Sequence, residues 1–298
     1  MKDTYHSSVL LHEAIDSLQI KPGKTYIDGT LGGAGHTREI LKRGGRVLGI
    51  DFDQDALSNA KLRVESGELR NDKSLILARG NFKDVDKIAQ EHGVENADGI
   101  LLDLGVSSHH FDEVGRGFSF QHEAELDMRM DQTLTLKAAD LINVLPKHEL
   151  AELFLKLGEE WKAKAIADAV AKARQVSPIK TTTELAKIVS KVVPSGKPGI
   201  NPATKVFQAL RIAVNDELNN VREVLPKAVH LLEPGGRLVI ITFHSLEDRI
   251  VKHTFKDFAA DGLGTIITKK PIVPSDEEVE RNKRARSAKL RVFEKVNG

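Results

Sequence analysis

Polar side chains that could bind a ligand or carry out chemistry follow four apolar runs of the sequence. They are Asp28, Asp51, Asp103, and the neighbours His244 and Ser245. The run before Asp103 is continuously apolar, as in strands of a parallel sheet that are covered on both faces. Ligands of open parallel sheets bind outside the carboxyl ends of the strands. We therefore expect these four groups to lie around one crevice.

A glycine-rich turn, residues 29–36, joins the strand that ends at Asp28 to a helical pattern that begins at Thr37. Glycines allow a tight turn and a close approach of a ligand to the backbone. Asp51 lies at the tip of the next strand, about twenty residues further on, where an acid can bind ribose hydroxyls. The turn matches neither G-x-G-x-x-G nor a P-loop. An acid before the glycines favours a cationic, phosphate-free cofactor such as S-adenosylmethionine; an ordinary glycine turn is the alternative.

Other chemistries lack the residues that they require. The chain contains no cysteine, which excludes disulfides, thiolate metal sites and a cysteine nucleophile. Ser245 is adjacent to His244 and no G-x-S-x-G motif is present, so a hydrolytic triad is not indicated. His244, Glu247 and Asp248 could ligate a metal in principle, but H-E-x-x-H is absent and we expect no metal.

The composition is that of a folded globular protein. Of the 298 residues, 40% are hydrophobic and 29% charged, which is the normal range for such proteins. The net charge of +1 argues against a protein that coats nucleic acid, so local patches must provide any such binding. Charged residues interrupt the first apolar segment, and no run reaches the roughly 20 residues of a membrane span. We expect a cytoplasmic protein with no membrane partner.

The alternation of strands and helices stops after Asp103. Residues 105–205 show helical patterns without strand-like runs, which predicts an all-helical insertion between residues 1–104 and 206–298. One long helix is predicted from Thr204, with a polar stripe through Gln208, Arg211, Asn215 and Asn219 that we interpret as a solvated face. The basic segment 281–291 either binds phosphates or forms a solvated terminal strand.

Seven motifs, in order along the chain from His6 to about Phe293, resemble the family of bacterial ribosomal RNA small subunit methyltransferase H. They start at Asp28 (DGTLGGAGH), Asp98 (DGILLDLGVSS), Arg116 (RGFSF), Leu126 (LDMRMD), Phe207 (FQALRIAVNDEL), Phe243 (FHSLEDR) and Asn282 (NKRARS). The resemblance implies an α/β fold, namely a Rossmann-like class I S-adenosylmethionine methyltransferase sheet interrupted by an all-helical insertion domain. It also implies N4-methylation of one cytosine in 16S rRNA, in the P-site decoding region of the small ribosomal subunit.

The resemblance also implies roles for individual residues. Cofactor contacts would fall on Ala34, Gly35, His36, Asp51, Phe82, Asp103 and His110. From residue type alone, Phe82 is equally well explained as a core residue. The sequence departs from the family pattern at Ala34 (usually glycine), His110 (usually glutamine), Ser8 (usually proline) and Asn201 (usually histidine). Ala34 leaves cofactor binding intact if its φ angle is negative.

The target cytosine would be surrounded by Asp103, Ser107, His244 and Ser245, because these residues follow the ends of two strands. The Asp-Pro-Pro-Tyr motif of many amino-methyltransferases is absent, so the group that holds the amine is not identified. Arg116, Phe118 and Phe120 are candidates for holding a base outside its stack, and core packing of both phenylalanines is the alternative.

Two rival functions remain open. One is methylation of another acceptor by the same fold, and the other is a ribosome-assembly factor that has lost activity. The segment from Arg116 to Asp131 argues against the first, and retention of Asp28, Asp51 and Asp103 argues against the second. The missing transit peptide disfavours a mitochondrial relative. We expect an assembled small subunit as the substrate, because a near-neutral chain is weakly attracted to bare RNA; no pattern indicates an oligomeric state.

Overall fold

The computed structural model describes residues 8–69, 73–105, 115–120, 122–193 and 201–296. The chain divides into two compact units. Met1–Gly105 and Leu218–Gly298 form what we call the sheet unit, and Val106–Glu217 forms the helical unit. None of the helices in the described ranges has the length and apolar character needed to span a membrane.

The described residues of the sheet unit form seven strands, with helices on both faces of the sheet. The strands are β1 (Thr25–Asp28), β2 (Arg46–Asp51), β3 (Leu75–Arg79), β4 (Ala97–Asp103), β5 (Leu232–Thr242), β6 (Gly264–Ile266) and β7 (Lys289–Lys295). The helices are α1 (Leu11–Leu18), α2 (Gly35–Lys42), α3 (Gln54–Glu65), α4 (Val85–Glu91), α10 (Glu217–Leu231), α11 (Ser245–Ala260) and α12 (Asp276–Arg281). Short 3₁₀ turns occur at Phe82–Asp84 and Lys283–Ser287.

The strand order is β3-β2-β1-β4-β5-β7-β6. Strands β1 to β5 pair in parallel, whereas β7 is antiparallel to both β5 and β6. The parallel strands therefore all end at one edge of the sheet, which we call the carboxyl edge. This arrangement confirms the predicted Rossmann-like α/β sheet. It also brings Asp28, Asp51 and Asp103 to the same edge, as expected from their positions after the apolar runs.

The sheet is buried on both faces, which explains the continuous apolar run of β4. Ile100, Leu101 and Leu102 are all fully buried. Ile100 and Leu102 belong to the core beneath α4, α10 and α11, and Leu101 belongs to the opposite core beneath α1, α2 and α3. Because successive side chains of a strand point to opposite faces, only a doubly covered strand has this composition.

The basic C-terminal segment contains an inner strand that the sequence reading did not resolve. β7 lies between β5 and β6. Its residues Leu290, Val292 and Phe293 are buried, so a solvated terminal strand is the wrong description of residues 289–295. The exposed basic residues of the segment precede β7: Arg281 ends α12, and Lys283, Arg284 and Arg286 lie in the 3₁₀ turn.

The helical unit contains α5 (Ala138–Val144), α6 (Lys147–Lys156), α7 (Ala163–Val176), α8 (Thr182–Val192) and α9 (Thr204–Asn215). The prediction ended the insertion at residue 205, but the compact unit extends to Glu217. The hydrogen bond from Gln208 Nε2 to Leu157 O, 3.2 Å long, is one reason that α9 belongs to this unit. The single long helix predicted from Thr204 is two helices, because Asp216 has a left-handed φ of +51°.

The polar stripe of α9 is not the solvated face that the sequence reading proposed. Asn215 is buried, where its Oδ1 accepts from Met130 N at 2.7 Å and its Nδ2 donates to Met128 O at 2.8 Å. Arg211 makes a two-point ion pair with Glu217, with both N–O distances 2.8 Å. The stripe therefore joins α9 to the rest of the helical unit through hydrogen bonds.

Candidate functional site

The turn after β1 is held by the carboxylate of Asp28, which is buried. Its Oδ2 accepts a hydrogen bond from Thr37 Oγ1 at 2.7 Å, and its Oδ1 accepts one from Thr30 N at 3.3 Å. Burial raises the pKa of Asp28, and the two hydrogen bonds and His36 oppose this shift. Asp28 therefore shapes the turn and the start of α2, two roles that its position before the glycines did not reveal.

Asp51 connects the same turn to β2. Its Oδ2 accepts from Gly32 N at 2.8 Å, and its Oδ1 accepts from Asp53 N at 2.9 Å. The ribose contact of Asp51 remains a prediction, while its hydrogen bond to the glycine turn is a structural role that spacing did not indicate.

Ala34 has the backbone conformation in which only glycine is unstrained. Its φ is +57°, so the condition of a negative φ, under which Ala34 leaves cofactor binding intact, is not met. A left-handed φ costs a residue with a Cβ atom roughly 1–2 kcal/mol. Ala34 is fully buried and immediately precedes α2, so the strain lies at the N-terminus of the helix that follows the turn.

Gly35 and His36 form the first turn of α2. A Cβ atom on Gly35 would meet the hydroxyl of Ser8, so any other residue here would force that side chain to move. His36 is buried, and its Nε2 lies 3.3 Å from Val9 O. A carbonyl oxygen only accepts, which assigns the proton to Nε2. Burial lowers the pKa of His36, so the ring is neutral and directs the unprotonated Nδ1 toward Asp103 Oδ2, 3.9 Å away.

Asp103 ends β4, and its carboxylate accepts fewer hydrogen bonds from the described residues than those of Asp28 and Asp51. Its backbone N–H donates to Thr30 Oγ1 at 2.6 Å, which ties β4 to the turn. Its Oδ1 is buried and accepts no hydrogen bond from the described part of the chain. Burial, followed by the charges of Asp28 and Glu247, raises the pKa of Asp103 well above its usual value. Such an oxygen is available to a ligand.

Phe82 follows β3 in the 3₁₀ turn and is half-buried. It packs against the core beneath α4, and its Cβ is 3.5 Å from the position that a Cβ on Gly29 would occupy. Phe82 therefore lies beside the glycine turn and also contributes to the core. The two interpretations made from the sequence are compatible, because one side of the ring packs inward and part of it remains accessible.

His244 caps α11, a role that its residue type did not indicate. Its Nδ1 accepts from Glu247 N at 3.4 Å, and Glu247 Oε2 accepts from His244 N at 3.4 Å. This reciprocal arrangement is a capping box. The sequence signal was the acid three residues after the cap position, although histidine is not among the preferred caps. The predicted contacts of His244 and Ser245 with the target base remain predictions.

Several predicted site residues are placed elsewhere or are not described. Ser107 and His110 lie outside the described residues. In the helical unit, Phe118 is buried and Phe120 contacts Phe207 edge-on with ring centroids 5.2 Å apart, which favours core packing over base binding. Arg116 donates to the carbonyl oxygen of Met130 at 2.9 Å, a bond that stabilises its own loop.

The carboxyl edge fits a ligand that carries positive charge. Within the described residues, neither Asp28 nor Asp103 pairs with Lys or Arg, and the imidazole near both is neutral. A cation beside Asp103 would favour its ionised form and offset the burial of the carboxylate. Amino and sulfonium groups meet this requirement, whereas a phosphate would add negative charge to these acids.

Comparisons with known proteins show the family of the chain. Residues 3–296 match the model of the MraW methylase family. A protein named ribosomal RNA small subunit methyltransferase H from Carboxydothermus hydrogenoformans is 47% identical, covering 98% of each chain. One of the same name from Deinococcus deserti is 49% identical, covering 98% of this chain and 93% of that protein. A solved rRNA methylase from Streptococcus thermophilus superposes with a TM-score of 0.48 at 12% identity, covering 98% of this chain and 99% of that one.

Proposed function

Because the chain belongs to the MraW methylase family, we propose that it methylates N4 of one cytosine in the 16S rRNA of the small ribosomal subunit, in the P-site decoding region. Its methyl donor is S-adenosyl-L-methionine. The names of its two relatives, which are similar along almost their whole length, support an rRNA substrate. The reaction would take place in the cytoplasm, where the subunits assemble.

The observation that carries this proposal is the buried Oδ1 of Asp103, which lacks a hydrogen-bond partner among the described residues at the end of β4. The cofactor would be held by Ala34, Gly35 and His36 of the turn, with Asp51 and Phe82 on the neighbouring strand ends. Asp103 would face both the cationic part of the cofactor and the target amine. We also retain the prediction that His110 contacts the cofactor.

The chemistry requires an activated methyl group and an amine with an available lone pair. When bound, S-adenosylmethionine supplies a methyl group on a positively charged sulfur, and the sulfur leaves with the electron pair of the broken C–S bond. The lone pair of cytosine N4 is delocalised into its ring. Asp103 would accept a hydrogen bond from the amine, which favours a pyramidal nitrogen, and would take up the proton released when the N–C bond forms.

The remaining contribution of the protein is alignment. N4, the methyl carbon and sulfur must lie in line within about 3–3.5 Å for the reaction to proceed. His244 is fixed by its capping box, and Asp103 by the backbone hydrogen bond to Thr30. Ser107, Ser245 and these two residues would surround the base. The capping box fixes the side chain of His244, and the backbone hydrogen bond of Asp103 fixes the point on β4 from which its carboxylate extends.

We further propose that the helical unit recognises the RNA. Trp161 is 86% exposed, in a loop that is itself well ordered by hydrogen bonds. Glu160 N donates to Phe154 O at 3.1 Å, and Glu160 Oε1 accepts from Lys162 N at 2.8 Å. Lys162 and Lys164 are exposed beside the indole. An aromatic ring next to ammonium groups suits an unpaired base and its phosphates.

The test is transfer of labelled methyl from S-adenosylmethionine to small ribosomal subunits from cells that lack this gene, followed by nucleoside mass spectrometry. We expect N4-methylcytidine at one position of the decoding region, and no transfer to subunits that are already methylated. A different modified nucleoside, or transfer only to another molecule, would refute the N4-cytosine assignment. Binding of the cofactor without transfer to any subunit would support the inactive assembly factor instead.

A further inference from the structure

The 3₁₀ turn Lys283–Ser287 lies at the carboxyl edge of the sheet. β7 runs antiparallel to β5, and Lys289 at the start of β7 pairs with Thr242 at the end of β5. The residues just before Lys289 are therefore at the edge where β1, β2 and β4 end in Asp28, Asp51 and Asp103. The sequence alone did not indicate this position, because it depends on β7 being an inner antiparallel strand.

The turn directs its basic side chains to solvent. In a 3₁₀ helix, residues three apart lie on one side of the axis. Ala285 and Ala288 are buried on one side, and Ala288 N donates to Ala285 O at 2.8 Å. Lys283 and Arg286, also three apart, are exposed. Their Cα atoms are separated by about 6 Å along the axis, at roughly 2 Å per residue.

The charge of these two residues is not neutralised within the described chain. Residues 281–291 contain six Lys or Arg and no acid. Asp248 forms ion pairs with Lys289 at 3.1 Å and with Arg291 at 2.6 Å. The two basic residues of segment 281–291 that belong to β7 are therefore paired with an acid. Lys283 and Arg286 have no ion pair with a described residue. Two more exposed lysines, at 269 and 270, precede Ile272, which pairs with Leu290.

The acids of α12 do not cancel this patch. Three of its four acids, Asp276, Glu277 and Glu278, belong to the first turn of the helix, where negative charge is favoured by the helix dipole. The fourth, Glu280, is exposed and forms no ion pair with Lys283 or Arg286 among the described residues. Glu278 accepts a hydrogen bond from Leu10 N at 2.8 Å and is thereby directed toward α1. Asn282 separates α12 from the basic turn, and its Oδ1 accepts from Arg284 N at 3.1 Å. The basic side chains therefore form a distinct surface.

A polyanionic substrate meets an electrostatic difficulty at this edge. The acids that suit a cationic cofactor repel phosphate groups, so cations must flank them if RNA is to approach. We propose that Lys283 and Arg286 bind the phosphate backbone of the substrate RNA next to the target nucleotide. The inference rests on the proposed function, and it adds a phosphate-binding surface in the sheet unit to the recognition proposed for the helical unit.

The experiment compares wild type with the double variant Lys283→Gln/Arg286→Gln on unmethylated small ribosomal subunits. At 0.15 M salt, loss of two phosphate contacts is expected to raise the KM for subunits about 10-fold, at about 3- to 4-fold for each contact. The slope of log affinity against log salt should become shallower by about 1.4, at about 0.7 for each single-strand contact. The kcat and the Kd of S-adenosylmethionine should stay unchanged.

Matched variants separate charge from shape and from position. The charge-retaining variant Lys283→Arg/Arg286→Lys should behave as wild type. Arg46→Gln removes an exposed cation at the opposite edge of the sheet and should leave KM and the salt slope unchanged. Circular dichroism melting should confirm that all variants are folded.

An unchanged KM and salt slope in the double variant, with an active wild type, would overturn the phosphate contact. An equal loss for Arg46→Gln would also overturn it, because the effect would then be that of net charge. If the wild type transfers no methyl group, but the double variant still makes the slope of log affinity against log salt for subunit binding shallower, the proposed function is refuted and the phosphate contact is supported.

Discussion

Asp103→Asn should make the protein more stable at neutral pH while removing its activity. The substitution preserves the shape of the side chain and removes the charge. Neither carboxylate oxygen accepts a hydrogen bond from a described residue, and the bond to Thr30 Oγ1 comes from the backbone. The variant therefore loses no native hydrogen bond that the structure describes, and it no longer has to bury a charge.

The sign of the pH dependence follows from the raised pKa of Asp103. Between the ordinary Asp pKa of about 3.9 and the folded value, the folded state binds more protons than the unfolded state, so stability falls as pH rises. The cost of burying the ionised carboxylate of Asp103 is fully present above its folded pKa and disappears near pH 4. The amide of the variant is also without a partner, so the gain is the extra cost of burying a charge rather than a neutral polar group, about 1–3 kcal/mol. Asp103→Asn should therefore raise Tm by about 2–12 °C at pH 8, at about 2–4 °C per kcal/mol.

Thermal unfolding from pH 4 to 8, without cofactor, measures this difference directly. Asp51→Asn is the matched control, because both oxygens of Asp51 accept backbone N–H groups and an amide nitrogen cannot replace one of them. That variant should melt below wild type at pH 8. A Tm of Asp103→Asn below wild type at pH 8, or a difference that does not shrink toward pH 4, would refute the reasoning.

Methyl transfer by the same variants tests the chemical role. A carboxylate that accepts the amine proton is worth about 10²–10⁴ in rate. Asp103→Asn should lose at least 100-fold in kcat on unmethylated small subunits. Full turnover by this variant would eliminate Asp103 as the group that receives the proton.

Three further outcomes are expected. Ala34→Gly should stabilise the protein by up to about 1 kcal/mol in urea unfolding. The relief of roughly 1–2 kcal/mol of left-handed strain exceeds the loss of about 0.8 kcal/mol from one buried carbon. A clear destabilisation would contradict the strain argument. The lowered pKa of His36 means that the unfolded state gains a proton below about pH 6.5 before the folded state does. The contribution of His36 to stability should thus fall as pH falls through that range, opposite in sign to the contribution of Asp103. The stability of His36→Gln relative to the exposed-site variant His12→Gln should therefore rise as pH falls. Trp161 is the only tryptophan of the chain, so its emission should change when small subunits bind. Trp161→Ala should raise the KM for small subunits by about 5- to 150-fold, because it removes about 1–3 kcal/mol of base stacking. The free energy of unfolding should stay within about 0.5 kcal/mol of wild type. An unchanged KM would argue against an RNA contact of this loop.

Local patterns decided much of the fold in advance. The continuous apolar run of β4 predicted a strand covered on both faces, and Ile100 to Leu102 are fully buried. Asp53 and Thr181 cap α3 and α8 with side chains that accept backbone N–H groups, and both are residue types preferred at that position. These features depend on residues close in sequence. The acids at the strand ends could be placed at one edge because parallel strands share a direction.

The conformations and contacts that depend on distant residues were decided only by the tertiary structure. The spacing of α9 predicted a solvated stripe, but Asn215 hydrogen bonds to backbone groups about 85 residues away in the sequence. The left-handed φ of Ala34 is set by the turn that Asp28 and Asp51 hold, whereas alanine by itself favours a negative φ. The acids of one edge raise the pKa of Asp103 only because folding places Asp28 and Glu247 near it.

The sequence by itself determined which residue types could do chemistry, and at which strand ends, because strand, turn and helix signals are local. Only the tertiary structure decided which of them share a charge environment and which serve as caps or supports. The physical reason is that burial and electrostatic interaction depend on distances between residues that the chain brings together from far apart. Lys283 and Arg286 illustrate this: their charge is evident in the sequence, and their place beside the acids of the carboxyl edge depends on the pairing of β7 with β5.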